Sequence, residues 1–147
     1  MVGWGRWFLL LLFLWGLAAC ADAGDTAVPL PTVPAHPPAE LTGDADRGEV
    51  LYQRRVLGSQ GAPGCVTCHS LAPNVVLVGP SHYGLADRAA AAVPDQPAAI
   101  YLWVAIVDPN AHLTDGYEAN AMYGQYAAEL SAQDVADLVA YMLTLHE

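Results

Sequence analysis

The sequence predicts an all-α domain over residues 40–147. Three segments place apolar residues at helical spacing, and each begins with a residue suited to cap a helix. The one short β-branched run, Val75 to Val78, gives a weak strand signal. A segment of this length is enough for one compact domain and too short for two.

Residues 1–19 are predicted to be a signal peptide. An apolar run of 13 residues, Trp7 to Ala19, follows Arg6 and is shorter than the roughly 20 residues of a spanning helix. Its end, Leu17-Ala18-Ala19-Cys20, resembles the cleavage site of a bacterial lipoprotein, in which the cysteine carries lipid. An ordinary secretory signal and an uncleaved anchor are the alternatives. Each of the three places the domain on the periplasmic, extracytoplasmic side of the cell membrane.

Residues 20–39 are predicted to be a lipidated tether that starts at Cys20. The stretch holds Pro29, Pro31, Pro34, Pro37 and Pro38 among small and polar residues. Such a composition does not bury a core and favours extended chain, with a reach of roughly 50 Å at about 3 Å per residue. The membrane is therefore one predicted partner.

The charge of the chain restricts its other partners. After removal of residues 1–19, 15 acidic side chains remain against four arginines, a formal charge of −11, and the sequence contains no lysine. This balance argues against nucleic acid and anionic lipid headgroups as direct partners and favours protein partners with a basic docking surface. A generically acidic, soluble surface is the simpler explanation of the same charge.

The first predicted helix begins near Asp44, with Thr42 or Asp44 as N-cap, and runs to about Arg55. Val50, Leu51 and Val56 are predicted to face inward. Residues 58–64, which begin and end with glycine, then break the helix and form a loop.

Two further helices are predicted in the second half. One runs from Pro97 to Val107, with Asp95 as cap and Ile100, Val104 and Val107 on its apolar face. The last runs from Ser131 to about Leu145, with Ser131 and Asp134 spaced as a capping box. Its apolar stripe comprises Val135, Leu138, Val139 and Met142.

The segment Cys65-Val66-Thr67-Cys68-His69 has the C-x-x-C-H spacing of a covalent haem site. Two thiols at this spacing can form thioethers to the vinyl groups of one haem, while the adjacent imidazole reaches the iron. The motif predicts one covalent haem c, held by Cys65 and Cys68, with His69 as an iron ligand.

Two other chemistries use cysteines at this spacing. A redox-active dithiol would start a helix within a βαβ unit, and no β-branched run precedes Cys65. A zinc site would need a second ligand pair, and the remaining cysteine, Cys20, is assigned to lipid.

The order of these elements resembles the class I cytochrome c family over residues 44–145. The resemblance rests on Gly48-x-x-x-Tyr52, the C-x-x-C-H motif, Val78-Gly79-Pro80, Met122 and the final-helix segment Leu138-Val139-Ala140-Tyr141. It implies a monohaem fold of helices packed around the cofactor. It also implies that Gly48 on the first helix packs against Tyr141 and Leu138 on the last, since glycine permits close helix approach.

The resemblance implies Met122 as the second iron ligand. Methionine ligation favours ferrous iron and raises the reduction potential. Tyr123 departs from the family, which usually has proline after that methionine, so a fixed φ is lost. Met142 is the rival methionine and is predicted to be core. The imidazole alternatives are His82, His112 and His146, with His82 expected on the side of His69.

The resemblance also assigns roles around the cofactor. The carbonyl of Pro80 is expected to accept the N–H of His69, which would fix the ring of the ligand. The candidates to line the crevice are Tyr52, Tyr101, Trp103, Tyr117 and Tyr126. Tyr101 or Trp103 is also expected to donate to a haem propionate.

Three functions follow from these predictions. The first is electron transfer between a quinol-oxidising complex and an oxidase or reaction centre, without catalysis by the chain itself. In its lipobox, its tether and the stretch from Ile106-Val107-Asp108-Pro109-Asn110 to Met122, the chain is similar to cytochrome subunits and domains of respiratory complexes such as alternative complex III and caa-type oxidases. The second is a peroxidase-like haem enzyme with a labile distal ligand, and the third is a structural lipoprotein subunit.

Overall fold

The computed structural model describes residues 33–40 and 42–147. Within them the chain forms five α-helices and one short antiparallel hairpin, which confirms the all-α class. The elements are α1 (Ala45–Tyr52), β1 (Val56–Leu57), β2 (Ala62–Pro63), a 3-10 turn (Cys65–Thr67), α2 (Leu85–Ala89), α3 (Ala98–Val107), α4 (Tyr126–Glu129) and α5 (Ala132–Met142). The hairpin pairs Val56 with Pro63 and Leu57 with Ala62. None of the helices described is both long enough and apolar enough to cross a membrane.

The helices α1 and α5 make the most extensive contact between elements. A Cβ atom added to Gly48 would lie 1.9 Å from the carbonyl oxygen of Asp137 and 2.8 Å from the Cβ of Tyr141. Only glycine allows the two backbones to approach this closely. The predicted packing of Gly48 against Tyr141 is therefore confirmed.

A buried carboxylate strengthens the same crossing. Asp137 is 2% exposed. Its Oδ1 accepts from the backbone N–H of Asp44 at 2.8 Å, from Nη2 of Arg47 at 3.1 Å and from Nε2 of Gln133 at 2.8 Å. A buried carboxylate needs such donors, because an unpaired charge is costly to remove from water.

Helix starts agree with the predictions in two of three cases. Asp44 caps α1, where its side chain accepts from the N–H of Arg47, and Ser131 and Asp134 form the predicted capping box of α5. The predicted cap Asp95 is wrong. The N-cap of α3 is Pro97, with no side-chain hydrogen bond, and Asp95 lies in a turn with φ of 61°.

The apolar stripe of α5 is confirmed, since Val135, Leu138, Val139 and Met142 are all buried. The inward face predicted for the first helix is partly wrong. Val50 and Val56 are each 59% exposed. The helix ends at Tyr52, and its eight residues turn Gly48 and Tyr52 inward instead.

The predicted signal segment 1–19, Cys20 and the first part of the predicted tether lie outside the described residues. The last part of that tether packs against the domain. Val33 is 5% exposed and its N–H donates to the carbonyl of Ala127 at 3.0 Å. Nε1 of the buried Trp103 donates to the carbonyl of Pro34 at 2.9 Å. The packed part of the chain therefore includes residues before the predicted boundary at residue 40.

Candidate functional site

The C-x-x-C-H segment is folded into a tight 3-10 turn (Cys65–Thr67). The N–H and the hydroxyl of Thr67 both donate to the carbonyl of Gly64, at 3.0 and 2.6 Å. The N–H of His69 donates to the carbonyl of Cys65 at 2.9 Å. These bonds close the turn and bring both thiols and the imidazole to one cavity.

That cavity has a volume of about 460 Å³, within the range of about 300–1,000 Å³ that small-molecule and cofactor pockets occupy. The structure brings together there every described residue that the sequence assigned to the site. These are Cys65, Cys68, His69, Pro80 and Met122. The alternative ligands Met142, His82 and His112 line it as well.

The ring of His69 is held by two neighbours in the loop that follows it. Nδ1 lies 2.8 Å from the carbonyl oxygen of Pro80, the contact that the proposed role of Pro80 requires. A Cβ on Gly79 would lie 2.4 Å from Cε1 of the ring, so only glycine fits beside it. Burial lowers the pKa of His69 below its usual value, which keeps the imidazole neutral and able to ligate a metal.

A second imidazole stacks on this ring. The centroids of His69 and His82 are 4.0 Å apart, with planes inclined by 23°. Nδ1 of His82 lies 2.9 Å from the hydroxyl of Tyr52, a side chain that is 0% exposed. This agrees with the expectation that His82 lies on the side of His69.

The charge states of this pair define its hydrogen bond. Burial, together with the neighbouring His69 and Arg88, lowers the pKa of His82 to about 2. Burial raises the pKa of Tyr52 far above its usual value. The phenol therefore keeps its proton and the imidazole stays neutral, so the hydrogen bond between the Tyr52 hydroxyl and Nδ1 of His82 joins two uncharged groups. Sequence reasoning missed this pair, because the two residues lie on separate elements with no local motif.

The thiol chemistry of the motif argues against a redox-active dithiol. Burial raises the pKa of Cys65 to about 11. Reactive dithiols instead have a thiolate stabilised by a lowered pKa. Neither Cys65 nor Cys68 is in a disulfide.

The loop that carries Met122 is closed by two asparagines. The N–H of Asn120 donates to Oδ1 of Asn110 at 2.7 Å, and Nδ2 of Asn110 donates back to Oδ1 of Asn120 at 3.1 Å. This reciprocal pair fixes the loop just before Met122, a residue that Tyr123 follows here in place of the proline that is usual in the family. The pair was missed as well. The asparagine of Asp108-Pro109-Asn110 was its only local signal.

The aromatic predictions hold for Tyr101, Tyr117 and Tyr126, which line the cavity. They are wrong for Tyr52 and Trp103, which are core residues outside the cavity lining. The single N–H of Trp103 is used by the carbonyl of Pro34, so Trp103 is not the expected propionate donor.

The residues of the cavity fit a covalent haem. Two unpaired thiols and a neutral imidazole come from one turn, a thioether lines the same space, and the remaining lining is largely apolar. Two thiols at this spacing can bond covalently to the vinyl groups of a haem, and imidazole and thioether are ligands of haem iron. The site of Cys65, Cys68 and His69 is thus a haem c site.

Comparisons with known proteins agree with this fit. A family model described as cytochrome c matches residues 45–146. Among solved structures, a chain of SoxXA from P. pantotrophus is similar at 21% identity and a TM-score of 0.48, over 77% of this chain and 91% of that one. No curated protein sequence matches. The family model spans the attachment turn, the cavity and the α1–α5 crossing, so the chain belongs to the cytochrome c family of haem-binding electron-transfer proteins.

Proposed function

We propose that the chain is a lipid-anchored monohaem electron carrier rather than a haem enzyme, with His69 and Met122 as iron ligands. It transfers electrons between a quinol-oxidising complex and an oxidase or reaction centre on the extracytoplasmic face of the bacterial membrane. The observation that carries the proposal is that Met122 lines the same cavity as Cys65, Cys68 and His69. When bound, the haem supplies the one-electron change.

The roles of the protein groups follow from their contacts. The carbonyl of Pro80 orients His69 and makes the imidazole a stronger donor to iron. The asparagine pair at the Met122 loop limits the freedom of the thioether. The largely apolar lining excludes water, and a less polar surrounding favours the less charged ferrous state.

Exchange of the methionines tests the ligand. Met122→Ala is expected to give a high-spin or ligand-exchanged haem, to abolish the sulfur-to-iron absorption band and to lower the reduction potential, because thioether ligation favours ferrous iron. Met142→Leu is the matched control, since Met142 also lines the cavity but is 4% exposed within α5. If Met142→Leu abolishes the band and Met122→Ala preserves it, Met142 is the ligand. If both variants keep the band, neither methionine is the ligand, and His112 is the next residue to exchange.

Fractionation tests the anchor. A Cys20→Ser form secreted through a cleavable signal is expected to be soluble and to keep its haem spectrum, while the unaltered protein stays with the membranes. Dual acylation binds membranes stably, whereas removal of the acylated cysteine leaves no lipid to hold the chain. A soluble unaltered protein would refute the anchor. Membrane association of the Cys20→Ser form that yields only to detergent would indicate a stably bound complex subunit instead of a mobile carrier.

A further inference from the structure

The side chain of Tyr123, the residue after Met122, is held by the short helix α4. Its ring meets that of Tyr126 edge-on, with the centroids 5.0 Å apart and the planes inclined by 73°. Its hydroxyl donates to Oε1 of Glu129 at 3.3 Å and also lies 3.5 Å from Oε1 of Gln125. The residue next to the proposed ligand is therefore fixed through its side chain, where a proline would fix the backbone φ.

The other oxygen of the Glu129 carboxylate binds the hairpin of β1 and β2. Oε2 accepts from the backbone N–H of Gln60, in the turn between the two strands, at 3.0 Å. Gly58, with φ of 66°, lies against the same side chain. A Cβ added to it would lie 2.7 Å from the Cβ of Glu129 and 2.8 Å from its carbonyl oxygen. Only glycine at this position lets Glu129 come so close to the turn.

The hairpin leads directly into the haem attachment turn. Its second strand ends at Pro63, and the 3-10 turn begins at Cys65. The buried Tyr126 donates its hydroxyl to the carbonyl of Pro63 at 2.6 Å, which is a second link between α4 and the hairpin. Neither Glu129 nor Gln60 lines the cavity. The bond between them therefore does not depend on what the cavity holds.

We propose that Glu129 is a positioning residue for Met122. Its carboxylate joins the hydroxyl of Tyr123 to the hairpin and so restricts how far the loop that carries Met122 can move from the turn that carries His69. The inference rests on the proposed function, in which Met122 and His69 both bind iron. A carboxylate suits this task, because hydrogen bonds to a charged acceptor are stronger than those between neutral groups.

Displacement of the thioether by added imidazole tests this role in the haem-loaded ferric protein. Tyr123→Phe keeps the ring and removes only the hydroxyl that donates to Glu129. It should bind imidazole about two- to tenfold more tightly than the unaltered protein, the range expected for loss of one hydrogen bond. Tyr83→Phe is the matched control, because it removes a tyrosine hydroxyl outside the cavity lining, and its affinity should be unchanged.

Variants of the two acceptors show which one matters. Glu129→Ala should raise the affinity for imidazole at least as much as Tyr123→Phe, because it also removes the bond to the hairpin. Tyr123→Phe combined with Glu129→Ala should bind imidazole no more tightly than Glu129→Ala alone, since the hydroxyl then has no carboxylate to lose. Gln125→Ala should leave the affinity unchanged. If Gln125→Ala reproduces Tyr123→Phe and Glu129→Ala does not, the positioning role of Glu129 is overturned.

The Met122→Ala background shows whether the effect acts through the thioether. That background has no Met122 thioether to displace, so adding Tyr123→Phe should leave its affinity for imidazole unchanged. An equal gain in both backgrounds would show that Tyr123 only limits access to the cavity, and would overturn the positioning role. So would an unchanged affinity of Tyr123→Phe in a protein that shows the sulfur-to-iron band. If the unaltered protein lacks that band, the ligand assignment of the proposed function fails and this inference fails with it.

Discussion

The imidazole rings of His69 and His82 are stacked, with their centroids 4.0 Å apart. Together with the Pro80 carbonyl and the close approach of Gly79, this stack restricts the plane of the His69 ring, the proposed iron ligand. His82 is in turn held by Tyr52, whose ring packs against Tyr141 with a centroid distance of 5.2 Å. A line of aromatic contacts therefore joins the α1–α5 crossing to His69 in the haem attachment motif.

Loss of one partner of the Tyr52–His82 hydrogen bond should destabilise the haem-loaded protein. His82→Leu leaves the hydroxyl of the fully buried Tyr52 without its hydrogen-bond partner, which costs about 1–3 kcal/mol. Tyr52→Phe combined with His82→Leu should cost less than the sum of the single changes, by about 1 kcal/mol. Denaturant unfolding of the four proteins measures this coupling. Strictly additive free energies would show that the hydrogen bond contributes nothing to stability.

Acid should destabilise the protein through His82. Its pKa is lowered to about 2 in the folded state, while an unfolded histidine titrates near 6.5. Between these values the unfolded chain binds a proton that the folded protein does not. Folding stability therefore falls as the pH drops below about 6.5, by at most about 1.4 kcal/mol per pH unit from this one group.

Unfolding of the haem-loaded protein between pH 7 and pH 4 measures this dependence. His82→Leu should give a shallower fall in the free energy of unfolding than the unaltered chain. His36→Asn, at an exposed position, is the control. Parallel profiles for the unaltered and His82→Leu proteins would assign the acid sensitivity to other groups.

Gly48→Ala should separate α1 from α5. The added Cβ would lie 1.9 Å from a backbone oxygen, which cannot move without moving α5. Overpacking of this kind costs about 1–3 kcal/mol, and occasionally more. Gly124→Ala is the control, because a Cβ there meets nothing within 4 Å. Thermal unfolding compares the two, and equal midpoints would contradict the close approach of the helices.

Asn110→Ala should loosen the loop that carries Met122. The change removes both hydrogen bonds to Asn120 and shortens one side chain of the cavity lining, because Asn110 itself lines the cavity, while Met122 is retained. The expected result is faster replacement of the thioether by added imidazole, with a normal spectrum before imidazole is added. Asn120→Gly, which keeps the N–H that donates to Asn110 and suits the positive φ of 65°, should have the smaller effect. Unchanged imidazole binding in Asn110→Ala would show that other contacts hold the loop.

The features that sequence predicted best are those with local signals. In each of these features the residues concerned are close together in sequence. The examples are the capping box of Ser131 and Asp134, the apolar stripe of α5 and the C-x-x-C-H turn. Short helices such as α2 and α4 have too few residues to show a periodicity, and their existence depends on tertiary packing. The exposed run at residues 75–78 has strand-forming residues, but it forms no strand and pairs with neither of the two strands described.

The parts of the site that sequence did not predict are long-range pairs. Tyr52 and His82 lie 30 positions apart, and Trp103 and Pro34 lie 69 apart. No spacing rule connects residues at such separations. In each pair a residue outside the helices, His82 or Pro34, packs against a helix residue, Tyr52 of α1 or Trp103 of α3. Sequence therefore gives no reason to prefer the Pro34 carbonyl over a haem propionate as the acceptor of the Trp103 N–H.

The docking of Val33 on the domain changes the geometry of the proposed anchor. A chain anchored at Cys20 would have at most 13 residues, not the whole of residues 20–39, to reach the buried side chain of Val33. Fully extended, that length is at most about 45 Å. The attachment point is also set by the carbonyl of Ala127 and the indole of Trp103, so a pull on the chain acts on α3 and the start of α4 before it reaches α1. Val33 would thus act as the pivot about which the domain turns above the membrane, and the face it presents to a partner depends on where that pivot is placed.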